Sequence, residues 1–158
     1  MNERLNADAG PTRRLQDQTA CYYISVFRDS ARDGAIPMLD TVLKRFEEPD
    51  ELRTFEKGKF EIVHIGGMTI GRATYQPGWK WSLHVGPSIG ASRCNVEHVG
   101  MVLSGCATAA MEDGIVHELR AGTLFYIPPG PPGHDSWVVG EAPYVSLHFI
   151  GADDYANK

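Results

Sequence analysis

The sequence has no apolar run approaching the roughly 20 residues that a membrane-spanning helix needs. Its longest uninterrupted apolar stretches are only a handful of residues, and the opening MNERLNADAGPTRR lacks the apolar core of a secretory leader. A soluble, cytoplasmic protein with no membrane partner is expected. Excess positive charge is absent as well: 15 Lys and Arg stand against 20 Asp and Glu, a formal net charge of −5. With no basic stripe in any segment, a nucleic-acid backbone would be repelled, so no nucleic-acid partner is expected. Cysteine is scarce. Cys21, Cys94 and Cys106 are an odd number without paired metal-type spacing, which fits a reducing compartment and no structural disulfide. What is there is ordinary globular material: 158 residues, 42% hydrophobic and 22% charged, enough for one domain that buries about two-thirds of its surface.

Residues 1–19 are polar, rich in charge, Asn and Gln, and without periodicity. They can bury little to offset ordering entropy, so a flexible arm is expected there. Residues 20–54 are expected as an extension packing on the main domain. Within it CYYISVF (21–27) is β-prone. Met38, Val42 and Phe46, with Leu39 and Leu43, recur at helical spacing before Pro49, which predicts one short helix over 37–47. From Phe55 onward, short β-prone runs alternate with Gly and Pro: KFEIVHI, MTIGRATY, WKWSLHV, HVGMVLS, CATAAM, IVHEL, TLFYI, SWVV and YVSLHFI. About nine strands at this spacing describe an all-β sandwich or barrel over 55–155, and Asp113-Gly114 is a strong hairpin turn.

Glycines, prolines and histidines in this region fall into a frame. Gly78 is followed by five residues and His84, and His98 by six residues and Gly105. Gly122 is followed by five residues, Pro128-Pro129-Gly130, three more residues and His134. These spacings resemble the two motifs of the cupins. The first reads Gly, five residues, His, one residue, His, three or four residues, Glu, six residues, Gly; the second reads Gly, five residues, Pro, one residue, Gly, two residues, His. The resemblance covers roughly 55–155. PGWKWS, EHVGMVLSG, PPGHDSWVVG and the GADDYA tail make the chain similar to a group of small single-domain bacterial cupins. The resemblance implies a double-stranded β-helix, the cupin jelly-roll barrel, usually a homodimer, whose narrow end can hold a divalent metal. Counted this way, Gly86 stands where the second His belongs, His98 stands where Glu belongs, and the longer stretch between His84 and His98 carries Cys94.

Imidazoles on neighbouring strands of a rigid barrel can converge on one point, and three neutral ligands leave an open position on Zn, Fe, Mn, Ni or Cu. His84, His98 and His134 are the expected ligands, with Cys94 an optional fourth that would shift the preference towards Zn. His in place of Glu removes a negative charge, so a three-histidine site would favour an anionic group on the ligand. Asp135, next to His134, is a candidate general base. Strand alternation puts His98 on a face with Gly100, Val102 and Ser104, opposite Val99, Met101 and Leu103, the larger set expected to fill a core. It also implies that an inward His84 turns Trp79 and Trp81 outward, a pair suited to a dimer contact. His64, His117 and His148 are read as surface or structural residues. The function expected is a metal-binding cupin that binds or transforms a small polar, anionic metabolite, and these residues suit oxygenase, isomerase or hydrolase chemistry alike. The alternative is a metal-free cupin that binds or senses a small molecule, or that dimerises, without catalysis.

Overall fold

Nine strands form among the described residues, several of them buried at every second position. The computed structural model describes residues 40–157. The expected arm over 1–19, the strand at 21–27 and the first residues of the expected helix lie outside them. The strands are β1 (Glu51–Phe55), β2 (Gly58–Ile65), β3 (Met68–Tyr75), β4 (His98–Ser104), β5 (Cys106–Met111), β6 (Val116–Arg120), β7 (Leu124–Ile127), β8 (His134–Asp135) and β9 (Tyr144–Ile150). Two short helical turns, α1 (Trp81–His84) and α2 (Gly86–Ile89), join β3 to the loop before β4. Six strands form one antiparallel sheet in the order β1-β2-β3-β9-β4-β7, and three form the other in the order β6-β5-β8. Gly66 and Gly67, both at positive φ, make the two-residue turn between β2 and β3, a conformation glycine adopts without steric cost.

The core lies between the sheets. Phe60 and Ile62 of β2, Ala73 and Tyr75 of β3, Val102 of β4 and Tyr144 of β9 meet Ala107 and Ala109 of β5 and Leu119 of β6. On the outer face of the large sheet, Glu61 is buried but paired, with Arg72 Nε at 2.7 Å and Lys59 Nζ at 2.7 Å.

Three expectations are corrected. WKWSLHV is not a strand: Trp81 and Val85 are four residues apart as well as on alternate positions, a spacing that also suits a helical face. Val85 N–H donates to the Trp81 carbonyl at 3.0 Å, and the Asp135 carboxylate accepts the Ser82 N–H in the first turn at 3.1 Å. The expected helix over 37–47 does not form in its described part, where residues 40–45 are irregular. Val42 is 56% and Leu43 83% exposed, so the apolar stripe that would have held a helix is not buried, and helical stability in proteins comes mostly from such burial. The large sheet also begins earlier than residue 55, because Glu51–Phe55 pairs along its whole length with β2.

Candidate metal and ligand site

The β-sheet register brings the site together. His98 opens β4, opposite Ile127 of β7. His148 of β9 pairs with Gly100, two residues further along β4, so both imidazoles project from the inner face of the large sheet. Their ring centroids are 5.1 Å apart. His134 comes from the small sheet, where it pairs with Met111, and its ring lies 5.4 Å from that of His98. Cys94 arrives from the loop before β4 and is fixed by a reciprocal bridge: Cys94 N–H donates to the His134 carbonyl and His134 N–H to the Cys94 carbonyl, both at 2.9 Å. Gly133, at φ +74, permits this approach. A Cβ there would stand 2.7 Å from the Cys94 carbonyl oxygen and closer still to the Asn95 side chain.

Cys94, His98 and His134 are all buried, and one donor atom from each lies within 4.8 Å of the other two. Cys94 Sγ is 3.4 Å from His98 Nε2. Burial governs their protonation. Desolvation, with His148 and His134 adding to it, holds His98 well below the ordinary histidine range. Desolvation lowers His134 to about 4 and, joined by the neighbouring His134, lowers His148 to about 4. The Cys94 thiol is pushed up to about 11, again by burial. Near neutral pH the protein therefore offers three uncharged imidazoles and a thiol, and nothing in the set repels a cation.

A cavity of about 30 Å³ adjoins these groups, lined by His98, His134 and His148 together with Trp79, Trp81, Tyr75, Tyr155 and others. Tyr75 donates to the Tyr155 hydroxyl at 2.7 Å, and His148 Nε2 is 3.1 Å from Ser146 Oγ. Among the described residues, five buried side-chain nitrogens have no hydrogen-bond partner: Trp79 Nε1, Trp81 Nε1, His98 Nδ1, His134 Nδ1 and His148 Nδ1. All five residues line this one cavity. An unpaired buried polar group costs about 1–3 kcal/mol, and none of these five nitrogens is satisfied by another group of the protein. On its outer side, a groove of about 390 Å³ between β6 and β7 shares Leu119, Phe125 and Ile127 with the cavity wall.

Not every expected residue arrives here. His84 stands at the end of α1, where its Nδ1 accepts the Lys80 backbone N–H at 2.9 Å, and it faces a different surface groove beside Arg53 and Ser88. Trp79 and Trp81 point inward, 1% and 3% exposed, so they offer no dimer contact. The Asp135 carboxylate is engaged by the α1 turn. It accepts from Ser82 N and Ser136 N at 3.1 and 2.9 Å and from Ser82 Oγ at 2.9 Å, with Lys80 Nζ 3.1 Å away. These contacts tie the carboxylate to the α1 turn and to Lys80. His98, Gly100 and Val102 form the buried face of β4, whereas Leu103 on the opposite row is exposed and Val99 and Met101 are half-buried. The larger row is thus the outer one.

The motif register explains these placements. Counted from Gly86, the chain reads Gly86, five residues, Ser92, one residue, Cys94, three residues, His98, six residues, Gly105. In this frame Cys94 takes the place of the second motif histidine and His98 that of the glutamate, with no longer stretch between them. His148 was not expected in the site. Its signal was the inward row of β9, Tyr144, Ser146 and His148, polar positions alternating with Val145, Leu147 and Phe149.

No protein-family model and no curated protein matches the chain. Solved structures do. A structural-genomics protein of unknown function from Rhizobium leguminosarum bv. viciae is 19% identical over 70% of this chain and 95% of its own, with a TM-score of 0.51. An uncharacterized conserved protein with a double-stranded β-helix domain from Klebsiella pneumoniae is 17% identical over 71% and 85%, with a TM-score of 0.46. A cupin domain from Bordetella pertussis is 12% identical over 59% and 91%, with a TM-score of 0.42. At these identities the likeness is one of fold. The chain shares with the Rhizobium protein a fold of two antiparallel sheets, the all-β architecture expected above.

Proposed function

We propose that this protein is a metal-binding cupin in which Cys94, His98 and His134 hold one thiophilic divalent ion, and that the adjoining cavity takes a small, polar, anionic molecule. The observation that carries the reading is the collection of unpartnered buried nitrogens, His98 Nδ1 and His134 Nδ1 among them, around a single cavity. The donor set fits the ion. Two neutral imidazoles and one sulfur suit Zn and other borderline or soft metals better than Mg or Ca. The buried thiol gives up its proton on ligation, which makes binding pH-dependent. Two neutral ligands and one thiolate leave a divalent ion with one net positive charge, and that charge favours an anion. Bound here, the metal would supply Lewis-acid polarisation of an oxygen ligand. The chain supplies the rest. Desolvation keeps the imidazole lone pairs available, and the Ser146 hydroxyl fixes the orientation of His148. Leu119, Phe125 and Ile127 separate the cavity from the outer groove, the side from which a molecule would approach.

The homodimer and the cytoplasmic setting join this proposal on the resemblance and the composition alone. No helix among the described residues is long and apolar enough to cross a membrane. A second, metal-free reading has one observation in its favour: at 3.4 Å, Cys94 Sγ and His98 Nε2 can satisfy each other as thiol and imidazole. Elemental analysis of protein purified without a metal-affinity tag separates the two. One ion per chain, lost in the His98→Ala, His134→Ala double variant with the fold retained, supports the metal. Full occupancy in that variant, or none in the native protein after incubation with Zn, Fe, Mn, Ni and Cu in turn, overturns it.

A further inference from the structure

The two tryptophans of the cavity add a statement about what it binds. Trp79 and Trp81 are almost fully buried, line the cavity, and leave Nε1 of both rings without an acceptor. An indole N–H can only donate. The histidine nitrogens adapt to a donor or an acceptor by changing tautomer, but the tryptophans cannot, so the missing partner must bring acceptor atoms. Both rings are locked. Trp79 stacks on Tyr75 with centroids 3.8 Å apart and planes 8° from parallel, and Trp81 packs where a Cβ at Gly86 would touch its ring at 3.0 Å. Rotating either N–H to a partner elsewhere would break this packing. The cavity's volume of about 30 Å³ has room for about two waters or one small polar head group.

We infer that Trp79 and Trp81 form an oxyanion-binding pair, whose indole N–H groups receive the carboxylate-type head of the ligand beside the metal. This rests on the reading of the cavity as a metal and ligand site, and it names the recognition element within it. Two fixed donors select a small oxyanion over a neutral or cationic head, because hydrogen bonds to a charged acceptor are the stronger ones and a cation would leave both N–H groups unpaired.

The chain has three tryptophans, so protein labelled with ¹⁵N at tryptophan shows three indole N–H resonances, assignable by single Trp→Phe changes. Trp137, half-buried with Lys80 Nζ 5.4 Å from its ring centroid, is the internal control. Zinc binding is read separately from the histidine resonances, which must move on loading if the metal reading holds. Formate is then titrated into the zinc-loaded protein. The expected result is a downfield shift of the Trp79 and Trp81 resonances with formate and no shift of Trp137. In Trp81→Phe, zinc affinity is retained while formate affinity drops about tenfold or more, the loss for one hydrogen bond to a charged acceptor. Formate that fails to bind, or binds with both resonances unmoved, overturns the inference while leaving the metal standing. Histidine resonances unmoved by zinc overturn the metal reading first, and this inference with it. Because the shift is measured in the native sequence, the test does not depend on the variant folding.

Discussion

Acid should destabilise the metal-free protein along a route set by its buried imidazoles. His98, His134 and His148 are 2%, 4% and 7% exposed and are held uncharged by desolvation, whereas each takes up a proton near 6.5 once the chain unfolds. Their folded pKa values are lowered, so the unfolded state binds more protons below pH 6.5, and stability must fall as the pH drops. The loss begins near 6.5 and, for His134 and His148, runs on until the native groups titrate at about 4. At pH 5 those two together remove ~4 kcal/mol, with His98 acting in the same direction, from a total that for a single domain is ~5–15 kcal/mol. Above pH 7 the three groups contribute no further change. The assay is urea unfolding of chelator-treated protein at pH 7.5, 6.0 and 5.0, followed through the fluorescence of the buried tryptophans. Each buried imidazole adds about 1.4 kcal/mol per pH unit to the slope, so His148→Asn should flatten the profile by that amount. An unfolding free energy that stays level from pH 7.5 to 5.0 would refute the reasoning, because it would mean that the imidazoles are solvated in the native protein.

Other perturbations separate the residues of the site from their neighbours. Cys94→Ser should fold normally and lose most of its affinity for zinc and cobalt, seen as loss of the sulfur-to-cobalt absorption band, whereas His84→Ala should leave metal content unchanged; metal lost from the His84 variant would contradict its placement on α1. Gly133→Ala puts a Cβ into a left-handed backbone conformation and against the Cys94 carbonyl, and should cost ~2–4 kcal/mol in urea unfolding while weakening metal binding. A variant as stable as the native protein would show that the loops around residues 94 and 133 part easily. Tyr75→Phe should cost ~1–3 kcal/mol by leaving the Tyr155 hydroxyl buried and unpaired, and Tyr75→Phe with Tyr155→Phe should recover part of that loss. If the double variant is worse than the sum of the singles, the pair is not an isolated hydrogen bond.

The fold was legible in the sequence because strand alternation and turn glycines act over a few residues. β2, β3, β4, β5, β6, β7 and β9 follow from local pattern, and Asp113-Gly114 falls in the turn between β5 and β6. The 79–85 segment was not legible in the same way. Its apolar residues satisfy both a period of two and a spacing of four, and what decides between them is Asp135, more than 50 residues away, capping the Ser82 N–H. The site shows the same division. His98 and His134 sit at motif positions that the chain declares locally, while the identity of the third donor depends on which glycine starts the count. Gly78 precedes a packed helical turn and Gly86 precedes the loop that reaches the cavity, a difference that spacing alone does not reveal. His148 was hidden for another reason: a histidine on a strand is ordinarily surface or structural, and only its register opposite Gly100, where no side chain intervenes, brings its ring against that of His98. Of the four residues clustered here, Cys94, His98 and His134 were named from the sequence, and His148 could not be without knowing how β4 and β9 pair.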